Sequence, residues 1–349
     1  MKTLLKTLAI TSASLVSFVS ADDATQQTTE TKQPMQMITP SAGPRVENAI
    51  DGVFTADFIY LIATQGGLNY ASNNFDSASL DQLPQGNTYF PNFGFEPGFR
   101  VGMGMDLAHD AWDIMAQYTY FHTPTQTRYN DFSNSDYETQ DQSDTNTENA
   151  KSHWRLKLDV IDLDLGRNYY ISQYLALRPF FGAKTAWNRQ NYISESEYPS
   201  NEVPNYRNFV QHQYAYSIGI RTGLNTSWQF SRNWNVYGNT AFSLMNTHEK
   251  VNYKYYGSND DITYDLNNSI VSEQNTIQPV IELAMGFGYD CFFDDDNYHL
   301  GIQVGWEFQY WNNNNYYINE TNTNQTQALP FNVGDLSLQG LDVKFRLDF

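Results

Sequence analysis

Residues 298–310 read YHLGIQVGWEFQY, and apolar and polar residues alternate along their whole length. Its even-numbered positions are all apolar or aromatic, whereas its odd-numbered positions are His, Gly, Gln, Gly, Glu and Gln. Strict alternation of this kind indicates a β-strand with one apolar face. The stretch is longer than an average strand of roughly five or six residues, and a strand that spans a bilayer needs about 9–11. It therefore predicts a transmembrane β-strand.

The same alternation recurs along the chain and predicts ten strands. They lie near residues 53–63, 95–106, 111–122, 153–168, 174–190, 212–228, 233–250, 273–290, 297–312 and 335–349. A further hairpin within 64–94 would raise the number to twelve. Two strands change phase, near Val160 and near Gly340, and a β-bulge at each position would reconcile the two phases.

Short and long connections alternate between these strands. The short ones lie near 107–110, 169–173, 229–232 and 291–296, and the long ones near 64–94, 123–152, 191–211, 251–272 and 313–334. Outer-membrane barrels have short periplasmic turns and long external loops. The pattern predicts an all-β fold, a closed antiparallel transmembrane barrel with both termini in the periplasm.

Composition agrees with a barrel and argues against a helical membrane protein. Aromatic residues make up 15% of the chain, and the mean hydropathy is −0.56. After residue 21 no apolar run approaches the roughly 18 residues of a spanning helix. A barrel avoids that requirement because only every second residue of a strand faces lipid. The formal charge of −19 disfavours nucleic-acid binding.

The N-terminal part has two regions of different character. Residues 1–21 carry Lys2 and Lys6, an apolar stretch and a small-residue Val19-Ser20-Ala21 site, which predicts a secretory signal peptide. Its removal changes the formal charge from −19 to −21. Residues 22–50, rich in Thr, Gln and Pro, predict a flexible periplasmic tail, and residues 51–349 the barrel. The single cysteine, Cys291, cannot form an internal disulfide bond.

The C-terminal stretch predicts a signal for assembly. Residues 341–349 read LDVKFRLDF, with Phe345, Leu347 and Phe349 on the apolar face. An amphipathic last strand that ends in Phe resembles the signal read by the barrel-assembly machinery. The last strand must also pair with the first to remove both open edges of the sheet.

Several segments resemble a known family, the chlamydial and Legionella major-outer-membrane-protein-like porins. The resemblance runs from about residue 50 to the end and implies a pore-forming outer-membrane protein of a Gram-negative bacterium. The chlamydial members are cysteine-rich, so a cross-linked envelope role is not expected here. The segments are GFEPGFRVGMG (94–104), HDAWD (109–113), QYTY (117–120), DLDLGR (162–167), LRPFFG (177–182) and LSLQGL (336–341).

Charged residues on the polar faces of the strands must point into the lumen, since charge is costly against lipid. The predicted pore-lining residues are Asp57, Arg100, Asp113, Arg178, Lys184, Arg221, Glu282, Glu307, Lys344 and Arg346, and Asp159 is also expected to face inward. The lumen is further expected to be kept open by inward glycines. They are Gly102, Gly104, Gly219, Gly223, Gly286, Gly288, Gly301 and Gly305.

These features predict a porin-like channel for small hydrophilic solutes and ions, with a modest cation preference from acidic mouths. The alternative is a surface adhesin or antigen barrel with little conduction. Expected partners are outer-membrane lipid or lipopolysaccharide, the barrel-assembly machinery, a host-surface ligand and further copies of the chain.

No residue pattern indicates an enzyme or a cofactor site. The run Asp294-Asp295-Asp296 lacks the spacing of a calcium loop and is interpreted as a solvated turn. Four histidines, His122, His153, His212 and His248, fall near the predicted external strand ends, where ten-stranded outer-membrane proteases carry catalytic groups. A catalytic histidine needs an orienting carboxylate, which the sequence does not place, so a protease is much less favoured.

Overall fold

A computed structural model describes most of the chain from residue 52 onwards. The predicted signal peptide and tail lie outside the described residues. The described ranges are 52–73, 87–107, 112–131, 137–139, 149–198, 205–259, 262–264, 269–293, 298–320, 328–330 and 334–349.

Ten long β-strands form the wall of a barrel. In chain order they are β1 (Gly52–Gln65), β2 (Phe95–Asp106), β3 (Trp112–His122), β4 (Asn149–Arg167), β5 (Leu175–Tyr198), β6 (Asn205–Gln229), β7 (Trp234–Asn259), β8 (Ser269–Phe293), β9 (Tyr298–Asn315) and β10 (Gly334–Asp348). Each pairs antiparallel with its neighbours in the chain, and β10 pairs with β1, which closes the ring. The structure confirms the closed barrel and the count of ten.

The seam between the first and last strands continues to the last residue. Val53 is opposite Asp348, and Gln65 is opposite Leu336. Gly52 and Phe349 exchange two backbone hydrogen bonds, of 2.9 and 3.0 Å. Both ends of the barrel domain therefore lie at the same rim, together with the short connections. We call this rim the turn end and the opposite rim the loop end.

Short strands near the long connections extend the wall or pair with one another. Gln126–Asp131 continues along β4, and Ile262–Tyr264 pairs with the end of β7. Ala71–Asn73 pairs with both Thr88–Tyr89 and Tyr137–Thr139, and Ile318–Glu320 pairs with Ala328–Pro330.

The wall is taller than the hydrophobic pattern predicts. Strands β5 to β8 contain 24, 25, 26 and 25 residues, so most of the predicted loops 191–211 and 251–272 is strand. Both faces of these extensions are largely polar, as in the Asn, Ser, Glu and Tyr residues at the end of β5. Apolar–polar alternation therefore ends at the lipid boundary, while strand pairing continues beyond it.

The outer face carries an apolar belt in the half nearest the turn end. Its exposed side chains include Met103, Leu163, Phe181, Phe242 and Phe287. Towards the loop end the outer face becomes polar, as at Lys151, Arg155, Asn191 and Lys250. We interpret the belt as the membrane-spanning part of the wall, because apolar surface of this extent is stable against lipid.

The two predicted bulges, near Val160 and at Gly340, are absent. The register of β4 with β5 runs without a shift from Asn149 to Gly166, and that of β10 with β1 is continuous through Gly340. The apolar residues of β4 change from even to odd positions near Val160. Before this point apolar side chains such as Leu158 point into the lumen, and after it Ile161 points outward to the belt. The phase change therefore marks where the membrane ends and a buried core inside the barrel begins.

Within the described ranges, no helix is long and apolar enough to cross a bilayer.

Candidate functional site: the barrel lumen

The ten predicted pore-lining side chains all lie on the inner face of the wall, and most belong to two charge clusters. The β1 cluster contains Asp57, Arg100, Glu307, Asp342 and Lys344. The Arg100 guanidinium donates to Glu307 Oε1 at 2.7 Å and to Thr119 Oγ1 at 3.1 Å. Its Nη1 lies 3.5 Å from Asp57 Oδ2, and Lys344 Nζ lies 3.6 Å from that same oxygen.

The second cluster, the β5 cluster, contains Asp162, Asp164, Lys184, Arg221 and Glu282. Lys184 Nζ donates to Asp162 Oδ1 at 2.8 Å and to Glu282 Oε1 at 2.5 Å. Arg221 donates to Glu282 Oε2 at 2.8 Å and also pairs with Asp164. Arg221 and Lys184 therefore bridge carboxylates of β4 and β8, which fixes the position of every charge in the cluster.

Each cluster holds three carboxylates and two cationic groups. The formal charge of each is therefore −1. Charge fixed in a narrow, poorly hydrated space attracts counterions more strongly than the same charge at a wide mouth. A cation preference would therefore come from the lumen itself as well as from acidic mouths.

A third set of charges lies near the turn end. Arg178 Nε donates to Asp113 Oδ2 at 2.8 Å and to Oδ1 at 3.0 Å. His299 lies between two carboxylates, with Nδ1 2.5 Å from Asp348 Oδ2 and Nε2 3.0 Å from Asp290 Oδ1. Arg346 Nε donates to Asp348 Oδ1 at 2.9 Å. His299 therefore links β9 to its neighbours β8 and β10, and the Arg178–Asp113 pair links β5 to β3, with β4 between them.

A cavity of about 1300 Å³ connects the three sets of charges. It reaches from turn-end residues such as Leu107 and Phe292 to the middle of the barrel at Glu282 and Glu307. Nine of the ten predicted pore-lining residues line it, and the tenth, Asp57, contacts Arg100 and Lys344 in its wall. The turn half of the lumen is therefore a charged vestibule.

The loop half of the lumen is filled by a buried apolar core. The side chains of Leu61, Trp154, Leu156, Tyr192 and Trp311 are each at most 1% exposed. They pack together with other inward residues of β1, β3, β4 and β10. A core of this kind leaves no room for water in the loop half of the lumen.

Polar side chains complete the closure around Asn314, which is also buried. Asn314 Nδ2 donates to Gln65 Oε1 at 2.9 Å, and Asn314 Oδ1 accepts from Asn188 at 2.8 Å and from Gln278 at 3.2 Å. Gln213 Nε2 donates to the Asn314 backbone oxygen at 2.6 Å. We call Asn314 and these four partners the amide hub. It joins strands β1, β5, β6, β8 and β9 across the lumen.

The segment that carries Asn314 leaves the wall. Pairing of β9 with β10 is interrupted between Trp311 and Asn315. Asn313 has φ 49°, a left-handed conformation that Asn tolerates better than most residues. The interruption turns this segment inward. The prediction of an external loop beginning near residue 313 is therefore wrong for Asn314.

The inward glycines do not open the lumen as predicted. A Cβ at Gly223 would lie 2.4 Å from the Phe180 ring, and a Cβ at Gly305 would lie 2.2 Å from the Tyr237 hydroxyl. A Cβ at Gly102 would lie 2.6 Å from Thr55 Oγ1. The missing side chains make room for neighbouring aromatic and polar groups rather than for solvent.

Asp159 was expected to face inward, and this expectation is wrong. Its side chain lies on the outer face, where the Tyr118 hydroxyl donates to Oδ1 at 2.7 Å and His122 Nε2 lies 3.2 Å from Oδ2. The continuous register of β4 assigns its even positions to the lumen, so the true inward acids are Asp162 and Asp164. With a β-bulge near Val160, the side chain of Leu158 would face lipid and that of Asp159 would face the lumen, which is why Asp159 was assigned to the wrong face.

The other predicted positions are placed as follows. His153, His212 and His248 lie on the outer face near the loop end, bonded to Thr127, Asn191 and Asn275. Phe345, Leu347 and Phe349 point outward from β10, and the Phe349 ring covers Gly52. Cys291 is a partly exposed free thiol. The Asp294–Asp296 run lies outside the described residues.

Sequence reasoning missed Asp342, Asn314 and Glu249. Asp342 is on the predicted polar face of β10, so alternation alone could have found it. Glu249 is 2% exposed inside the loop half, where burial raises the pKa of its carboxyl to about 8. The pKa of the Tyr192 phenol in the same core is raised by burial as well. No pattern marked Asn314, which lies beyond the predicted strand 297–312. Glu249 lies at the end of the predicted strand 233–250, where residues 246–250 (NTHEK) are polar on both faces.

Several solved structures are similar to this chain at low sequence identity. The solved structures that match include the outer membrane protease OmpT from Escherichia coli, at 12% identity and a TM-score of 0.45, covering 86% of this chain and 96% of that chain. A Pseudomonas aeruginosa FadL homologue matches at 6% identity and a TM-score of 0.25, covering 86% and 90%. A comparison with curated protein sequences finds no match.

The family comparison identifies the family to which the chain belongs. The model of the Legionella pneumophila major outer membrane protein precursor matches residues 43–349, which include the whole barrel. The closed ring of ten strands and the apolar belt are the architecture that such a protein requires. The chain therefore belongs to the Legionella major outer membrane protein family and is a β-barrel of the bacterial outer membrane.

Proposed function

We propose that this protein is a porin-like channel for small ions and hydrophilic solutes, and that the described structure is its closed form. The observation that carries the proposal is the charged vestibule of about 1300 Å³, which extends to the middle of the barrel. A barrel that served only as a scaffold would gain nothing from burying ten charges around a cavity, because removing charge from water is costly.

Passage requires the amide hub to open. The hub is attached to a segment that has already left the β9–β10 pairing, so this segment can move without breaking the wall. Its contacts are neutral hydrogen bonds, each contributing roughly 0.5–1.5 kcal/mol. The apolar core beside it must also part. We therefore expect a low open probability and small conductance.

Cations should pass more readily than anions. Both charge clusters have a formal charge of −1, and Glu282 and Glu307 face the cavity in its middle. Their effect should weaken with salt, because the screening length falls from about 10 Å at 0.1 M to 3 Å at 1 M.

Planar-bilayer recording of the folded protein tests the proposal. Wild-type protein should give rare, small openings, and Asn314→Ala should increase open probability because it removes the centre of the hub. The matched control is Asn191→Ala, which removes an asparagine from the outer face at the loop end. A potassium chloride gradient should give a reversal potential of the sign expected for cations.

A second candidate is a surface adhesin or antigen with little conduction. The filled loop half of the lumen favours it, since a permanently packed core would suit a platform for the long connections. Silent bilayers from both wild type and Asn314→Ala, with folded protein verified, would reject the channel and leave this candidate.

A further inference from the structure

Three basic residues form a patch on the outer face, where the apolar belt of β4 and β5 ends. We call Arg155, Lys157 and Arg189 the basic patch. Lys157 and Arg189 are directly opposite each other in the antiparallel register, and Arg155 is the next outward residue along β4. Opposite residues in such a pair have Cβ atoms roughly 4.5–5.5 Å apart, and diagonal neighbours such as Arg155 and Arg189 are roughly 7–8 Å apart, within reach of long side chains.

Among the residues that the structure describes, no carboxylate forms an ion pair with Arg155, Lys157 or Arg189. The carboxylate nearest along β4 is Asp159, and both of its oxygens are engaged, by the Tyr118 hydroxyl and by His122. Beyond Arg155, His153 lies near Glu195, at 3.8 Å. Like charges directly opposite each other destabilise a strand pair. An uncompensated patch in a chain with a formal charge of −19 therefore calls for an external anion.

The position of the patch relative to the apolar belt indicates which kind of anion it can bind. Below it, towards the turn end, Ile161, Leu163 and Phe181 are 43%, 49% and 59% exposed on the belt. Trp187 follows Arg189 at the next outward position, and its ring lies 5.8 Å from that of Tyr216. Tryptophan and tyrosine concentrate where a membrane meets water. The patch is thus at the height of lipid headgroups.

We propose that the basic patch binds the phosphate groups of a phosphorylated membrane lipid. Two guanidinium groups and one ammonium group can hold phosphate oxygens by charge-assisted hydrogen bonds, and guanidinium does so in a bidentate manner. The acyl chains of the same lipid would lie against Ile161, Leu163 and Phe181. A lipid with two phosphates would satisfy the three cations better than one with a single phosphate. This proposal does not depend on the proposed channel activity.

Native mass spectrometry of the purified, folded full-length barrel tests it. The probes are a bis-phosphorylated glucosamine lipid and phosphatidylcholine, each titrated in detergent micelles. The test variant is Lys157→Gln with Arg189→Gln. The matched control is Lys250→Gln with Lys254→Gln, which removes two positive charges from the outer face of β7 at the loop end. Heat-modified migration on electrophoresis verifies that each variant is folded.

Wild type should retain the phosphorylated lipid in preference to phosphatidylcholine. The patch variant should lose roughly 25-fold in affinity, since each basic residue near an anionic surface contributes roughly fivefold. The control variant should bind like wild type. Equal losses in both variants, or no preference for the phosphorylated lipid, would overturn the proposal. So would displacement of the lipid by millimolar inorganic phosphate, because the site would then recognise free phosphate.

Discussion

Asn314 donates a hydrogen bond to Gln65 at 2.9 Å, although 249 residues separate the two in the chain. This contact joins the loop end of β1 to the last residues of β9, and both side chains are buried. It closes the lumen at one point of the amide hub. The contact should therefore contribute to the stability of the barrel and, for the channel proposed above, to the cost of opening.

A double-mutant cycle measures that strength. Gln65→Ala and Asn314→Ala should each lower the free energy of unfolding by about 1–3 kcal/mol, because each leaves buried amide groups without a partner. The double mutant should lose less than the sum, with a coupling of at least about 0.5 kcal/mol. Denaturant unfolding in detergent provides the values, and Asn191→Ala is the control. Strict additivity would show that the contact is not formed.

Arg221 should be the most sensitive residue of the charge clusters. Arg221→Met leaves Asp164 and Glu282 without their shared cation, and breaking a buried pair in this way costs about 3–5 kcal/mol. Lys250→Met breaks the exposed pair with Glu273 and should leave stability unchanged within error. The two variants are compared by thermal unfolding. Equal effects would mean that the β5 cluster is solvated rather than buried.

Glu249 should make the stability of the barrel depend on pH. Burial raises its pKa in the folded protein from 4.5 to about 8, so folding takes up a proton between these values. Its contribution is therefore fully present below about pH 4.5 and is lost as the pH rises to 8. The free energy of unfolding should fall by roughly 2–4 kcal/mol over this range. Glu249→Gln should flatten the dependence of the unfolding free energy on pH. An unchanged slope in this variant would mean that other groups cause the dependence.

Phe349 should matter more for assembly than a comparable aromatic residue elsewhere at the turn end. Phe349→Asp should lower the yield of folded protein in the membrane, because the ring covers Gly52 at the seam. The control is Phe230→Asp, since Phe230 and Phe349 are 51% and 47% exposed. Asp348 would be a poor control, because it accepts from Arg346 and contacts His299. Similar yields for the two Phe variants would contradict a C-terminal signal.

Surface labelling should determine the orientation of the barrel in the membrane. A tag inserted in the connection between β5 and β6 should be reached by a membrane-impermeant probe on intact cells. A tag after Arg232, in the short turn before β7, should be reached only after the outer membrane is permeabilised. The opposite result would place both termini outside the cell.

The sequence predicts the fold well where lipid imposes alternation. Phe99, Val101 and Met103 on β2 mark the belt and the strand at the same time, because one face must be apolar. Beyond the belt this constraint disappears. Leu156 and Leu158 are then as apolar as lipid-facing residues but point inward, and nothing local distinguishes the two environments. The register of β4 with its neighbours is what separates them, and register is a property of the closed ring.

The charged side chains that face the lumen were predicted from the sequence, but the packing that fills its loop half was not. Arg100, Lys184 and Glu282 could be assigned to the lumen because a charge cannot face lipid. The amide hub could not be predicted, since Asn314 lies in an Asn-rich stretch that resembles an exposed loop. Its burial depends on partners from four other strands, and their convergence requires the three-dimensional structure.

The seam between β1 and β10 has a consequence for folding. Every other pair among the ten wall strands joins neighbours in the chain and can form by local zippering, whereas this pair brings the first residues of the barrel to the last. Closing the longest loop in the chain carries the largest entropic cost, so the seam is expected to form late. Until Phe349 is in place, both edge strands expose unpaired backbone groups. A chain that lacks β1 or β10 therefore remains an open sheet. Its free edges can pair with other chains, so it is prone to aggregation and proteolysis.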